Sequence, residues 1–142
     1  MIFAYHVTNK KFDKFDINTL GQQSDHPSAH LGFYFFSNIK QAEEFAKDIN
    51  GWTEKYYLDL KNPYIMEAKE FEEELDFWRG VKNSKYGHDE YFRSRCHFED
   101  TATWIQDRKY DGIIIQGGKT KYPELDYDNY VVFNSDQIYT TS

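Results

Sequence analysis

Three short segments of this 142-residue chain carry side chains able to do chemistry, each in a strand-like setting. Tyr5-His6-Val7-Thr8 sets an imidazole within the alternating run Ile2 to Val7. Gly32-Phe33-Tyr34-Phe35-Phe36-Ser37 sets a phenol in an aromatic strand, and Asp128-Asn129-Tyr130-Val131-Val132-Phe133 opens a strand with a carboxylate and an amide. Other constellations are weaker. Cys96-His97 with His88 and Asp89 matches no common zinc spacing. Adjacent Cys96 and His97 point apart in regular structure, which disfavours a nucleophilic pair. Pro27 keeps His26 and His30 off a shared helix face. Gly117-Gly118-Lys119-Thr120 ends like a phosphate loop, but the first glycine that motif needs is Ile113 here. No metal site is expected.

The elements around the three motifs can be read from periodicity. Asn38 is an N-cap for a helix whose apolar residues Ile39, Ala42, Phe45, Ala46 and Ile49 share a face, closed by Asn50-Gly51. Lys55 to Leu60 reads as a strand stopped by Asn62-Pro63, with Tyr64-Ile65-Met66 as a brief continuation. Glu67 to Trp78 is an acidic helix with Phe71, Leu75 and Trp78 at helical spacing, its charges a solvated face or a docking surface. Residues 84–98 are ambiguous. Asp100 reads as the cap of a helix Thr101 to Lys109. Ile113-Ile114-Ile115 is a buried strand after the Asp111-Gly112 turn, and a polar loop from Gln116 to Asp128 precedes the last motif. Phe12 to Ser28 is a long loop able to cover a pocket. Strands at both ends and helices between them argue for an α+β fold in a single domain, residues 1–142.

Composition limits the function classes. Tyr 12, Phe 12 and Trp 3 supply a core despite a mean hydropathy of -0.84. No apolar run is long enough to span a bilayer, and the start has no basic region followed by a long apolar one. One cysteine fits a reducing compartment, so a cytoplasmic protein is expected. A net charge of -7 lacks the positive field of a non-specific nucleic-acid binder.

The order of the three motifs resembles the ADP-ribosyltransferase fold, in the branch of diphtheria toxin and the poly(ADP-ribose) polymerases. That branch carries a His in an H-G-[ST] strand, a Tyr in a G-x-Y-F strand and, usually, a Glu opening an E-Y-[IV]-[IV]-[YF] strand. Phe12-Asp13-Lys14-Phe15-Asp16, Gln41-Ala42-Glu43-Glu44-Phe45-Ala46, Lys61-Asn62-Pro63, Tyr110-Asp111-Gly112-Ile113 and Gln137-Ile138 are similar to small phage and bacterial members. The resemblance implies two sheets packed face to face as a split β-sandwich, flanked by helices, with NAD as substrate in the cleft. It implies that His6 hydrogen-bonds the adenosine-side ribose, that the main chain at Val7 pairs with the nicotinamide carboxamide, and that Thr8 supports that strand or the ribose. Tyr34 would stack on the nicotinamide and Phe45 on its other side. Val7 replaces the family glycine, and Asn129 stands where the Glu usually stands, with Asp126 and Asp128 as nearby carboxylates.

The expected activity is mono-ADP-ribosyl transfer to a macromolecular acceptor, with the acidic charge favouring protein over nucleic acid and the loop 116–128 contacting it. Two alternatives remain: a non-catalytic module that binds NAD or a partner, and an NAD glycohydrolase toxin. A phage-borne enzyme of this kind would act in the host cytoplasm.

Overall fold

The computed structural model describes residues 2–11, 15–16, 27–78 and 87–141, the side chains of 27 and 87–91 excepted. Among them are seven strands: β1 (Ile2–Thr8), β2 (Phe33–Phe36), β3 (Trp52–Leu58), β4 (Pro63–Glu67), β5 (Gly112–Gln116), β6 (Asn129–Val132) and β7 (Ile138–Thr140). Three α-helices lie between: α1 (Ile39–Asp48), α2 (Ala68–Phe77) and α3 (Gly87–Asp107). The strands join in one sheet of order β4-β5-β6-β2-β1-β3-β7. The two sheets expected are thus the halves of a single one, and the division falls between β1 and β2. These strands are paired only at Tyr5↔Phe36, whereas β1 pairs with β3 from Ile2↔Leu58 to Thr8↔Trp52. Both halves feed one aromatic core, Ala4, Tyr56 and Leu58 from one side meeting Phe33, Phe35 and Val132 from the other. The sandwich therefore exists as a continuous sheet with a seam.

Strand alternation sends Tyr34 and Phe36 to the opposite face from Phe33 and Phe35. On that second face α2 and α3 cover Ile113, Ile115 and Val131 with Phe71, Phe98, Ala102 and Ile105. Helix α1 lays Ala42 and Ala46 on Val7. Its start is capped as the sequence predicts, the Asn38 side chain accepting from Gln41 N at 3.0 Å. At its end Gly51 N donates to Ala46 O at 2.8 Å, with Asn50 at φ 54.

Two element boundaries differ from the sequence reading. Asp100 does not cap a helix; α3 runs through it, because Ser94, Phe98, Ala102 and Ile105 form one buried stripe across that point. Tyr64-Ile65-Met66 does not continue β3 but belongs to β4, parallel to β5 at the far edge of the sheet. The reason is a hydrogen-bonded buckle. The Asp111 carboxylate accepts from Lys61 N at 2.7 Å and Asn62 N at 3.0 Å, and Asn62 Nδ2 donates to Lys109 O. Gln137 Nε2 donates to both Asp59 O and Asp111 O. A Cβ at Gly112 would lie 2.4 Å from Leu60 Cδ2 and 2.6 Å from Val131 O, so only glycine fits there. Three of the small motifs noted in the sequence therefore meet at one place, and their role there is to turn the chain.

Candidate active site

His6 sits at the seam. Where the β1/β2 ladder stops, its Nδ1 meets Tyr34 O at 3.3 Å. A carbonyl can only accept, so Nδ1 carries the proton and Nε2 is the accepting nitrogen of the neutral ring. The ring lies among Phe15, centroid 4.9 Å away and edge-on, and Phe35 at 5.5 Å. Burial lowers the imidazole from its ordinary value, against the bond to Tyr34 O and the charge of Glu54.

His6 thus touches the Tyr34 backbone while the Tyr34 side chain leaves on the other face. The Tyr34 hydroxyl donates to Ser28 O at 2.8 Å, and its ring is 6.3 Å from Phe71. Burial pushes this hydroxyl well above the usual phenol range. Phe45 is 39% exposed, and its ring partner is Phe36, centroids 5.5 Å apart. The Phe45 and Tyr34 side chains are therefore not stacked on one another. Val7 packs on α1, and Thr8 is fully buried with its hydroxyl donating to Lys10 O at 2.9 Å.

Asn129 opens β6 opposite Phe36 and is 6% exposed. Its Nδ2 donates to Glu124 O at 2.7 Å and Tyr127 O at 3.2 Å, tying down the turn that precedes the strand. Gln41, in the first turn of α1, holds the same turn, with Nε2 donating to Pro123 O. Gln41 Oε1 is buried without a hydrogen-bond partner among the described residues. An orphaned acceptor of this kind fits a ligand with N–H or O–H donors. Asp128 Oδ1 accepts from Gly117 N at 2.7 Å. Burial, then the charge of Asp128, raises the Tyr130 hydroxyl, which puts this carboxylate on the Tyr130 side.

The loop between β5 and β6 is pinned to the acidic helix. Glu72 accepts from Lys121 N at 2.7 Å, while Asp76 accepts from Tyr122 OH at 2.6 Å and pairs with Lys121 Nζ at 2.6 Å. Part of the acidic run thus holds this loop rather than facing solvent alone. Asp126 is exposed.

Sequence reasoning missed two features. One is Gln41, whose helical position reveals neither its burial nor its orphaned oxygen. The other lies on β3, where Glu54 is the register partner of His6. Tyr56 OH donates to Glu54 Oε2 at 2.7 Å and Trp52 Nε1 to Glu54 Oε1 at 3.1 Å. Those bonds hold the Glu54 carboxyl below the usual range. The alternation of Trp52, Glu54 and Tyr56 put them on one face, but only the β1/β3 register puts that face beside His6.

Among the described residues no three His, Cys, Asp or Glu side chains group to hold a metal, and no helix is long and apolar enough to cross a membrane. The side chains of His26, His88 and Asp89 lie outside the described residues. No curated protein and no solved structure matches the chain. A family model for the ADP-ribosyltransferase in polyvalent proteins matches residues 1–141, and the chain belongs to that family.

Proposed function

We propose that this chain is a mono-ADP-ribosyltransferase that binds NAD along the seam between β1 and β2 and passes ADP-ribose to a macromolecular acceptor in the cytoplasm. The observation that carries the reading is the meeting of two motif strands at that seam, with the His6 imidazole on the Tyr34 carbonyl. Family membership supports the reaction class.

The reaction breaks the bond between nicotinamide and ribose and leaves positive charge on the sugar. His6, neutral and with Nε2 accepting, takes a ribose O–H and so orients the dinucleotide. Phe45 offers an exposed ring beside Phe36 as a stacking surface, and Tyr34 supplies the opposite one once its hydroxyl leaves Ser28 O. The main chain at Val7 serves the carboxamide, and Thr8 keeps the end of β1 in place. Asn129 contributes no charge, so Asp128 is the carboxylate that offsets the developing cation. A net charge of -7 favours a protein acceptor.

A second reading has a specific observation behind it. The Asn129 amide is engaged in holding the turn at 124–127, which suits a module that binds NAD or a partner without cleaving NAD. Incubation with labelled NAD in a lysate, following free nicotinamide and bound label together, separates the readings. Transfer puts label on an acceptor, and His6→Ala and Tyr34→Ala each lower it tenfold or more, a loss of about 1.4 kcal/mol of interaction. Asp128→Ala lowers transfer more than NAD binding. Nicotinamide without bound label identifies a hydrolase. Neither product, with NAD still bound in calorimetry, identifies the binding module.

A further inference from the structure

β3 places a carboxylate where a ribose would need one. Glu54 stands directly across from His6 in the antiparallel pair, so the two side chains share a face with Cβ atoms roughly 5 Å apart. Glu54 is held in position from both neighbours on its own face, by Tyr56 OH at 2.7 Å and Trp52 Nε1 at 3.1 Å. Each carboxylate oxygen thus receives one of these donors, and a carboxylate accepts about four, so both oxygens retain capacity. The attraction between Glu54 and His6 is the lesser influence on the imidazole, whose charged form burial disfavours, whereas Tyr56 and Trp52 are the main influences on the carboxylate. Glu54 is half-buried beside an indole that is 38% exposed, so the group opens toward solvent.

Two acceptors, one an imidazole nitrogen and the other an ionised carboxylate, on paired positions of adjacent strands suit the two neighbouring hydroxyls of a sugar. We propose that Glu54 is a ribose-binding residue that, together with His6, takes the vicinal diol of the adenosine-side ribose of NAD and discriminates against a phosphate on that diol. The proposal rests on the reading of the seam as the NAD site. It adds a specificity: an ionised carboxylate repels a phosphorylated hydroxyl, so NAD is preferred to NADP.

The test is calorimetric titration of the full chain with NAD and with NADP, for the unmodified protein, Glu54→Gln and Glu54→Asp. The unmodified chain is expected to favour NAD by about tenfold or more, the size of one like-charge contact in a half-buried site. Glu54→Gln, which removes the charge at constant shape, brings the ratio close to one. Glu54→Asp keeps the charge, retains the preference and weakens NAD binding. A structural role would change both affinities by the same factor. An unchanged ratio in Glu54→Gln with NAD still bound overturns this inference and leaves the NAD site standing. If Glu54→Gln does not fold, loss of the preference in Glu54→Asp overturns it equally. No binding of NAD by the unmodified chain overturns the NAD site and this inference together.

Discussion

Exchange of Asn129 for aspartate tests whether this position serves the fold or the reaction. The change is isosteric, but it replaces an amide that donates to Glu124 O at 2.7 Å and Tyr127 O at 3.2 Å with an oxygen that cannot. Two neutral hydrogen bonds are worth about 1 kcal/mol each, and an oxygen facing two carbonyls in a site 6% exposed adds a desolvation penalty of about 1–3 kcal/mol. The sum, about 3–5 kcal/mol, is a large part of the 5–15 kcal/mol typical of a domain. Burial among acceptors raises the pKa of the new carboxyl above its unfolded value of about 3.9. Its penalty is therefore absent below that value and complete once the pH exceeds the folded pKa. Urea unfolding followed by tryptophan fluorescence, at pH 5 and pH 8, reads both the size and the sign. Asn129→Asp should unfold at lower urea than the unmodified protein, with the larger gap at pH 8. Equal stability at pH 8, within about 0.5 kcal/mol, refutes the assignment of this amide to the turn. Equal stability joined to faster nicotinamide release makes position 129 a carboxylate site.

Further outcomes follow from the same geometry. Asp111→Ala removes a half-buried acceptor of two backbone N–H bonds at the buckle, and urea titration should show a loss of about 2–3 kcal/mol. Stability should also fall with acid in a window starting near pH 6.5. There the unfolded chain takes up a proton at His6, which the folded protein resists because burial lowers that imidazole. The contribution is full above about 6.5 and declines as pH drops toward the folded pKa; His6→Gln should flatten that slope in urea midpoints measured from pH 5 to 8. His30, lowered mainly by burial and then by Arg95, adds in the same direction, so some slope persists in the variant.

The sequence by itself determined the local elements and the order of the motifs. Asn38 capped α1, Asn50-Gly51 closed it, and the aromatic run at 33–36 formed β2, because caps, turns and alternation act over a few residues. Motif order also carried the family. Tertiary structure decided what depends on distant partners. A buried stripe from Ser94 to Ile105 carried α3 past Asp100, which local capping preference would have made a boundary. Asp111, fifty residues beyond Lys61, and Gln137, seventy-eight beyond Asp59, sent the strand that begins at Pro63 to the far edge of the sheet. The pairing of β1 with β3 put Glu54 beside His6, and the single register pair between β1 and β2 opened the seam between their halves. Strand register places a whole face of side chains at once and is set by packing across the sheet, so a residue's neighbours from a distant strand cannot be read from its own segment.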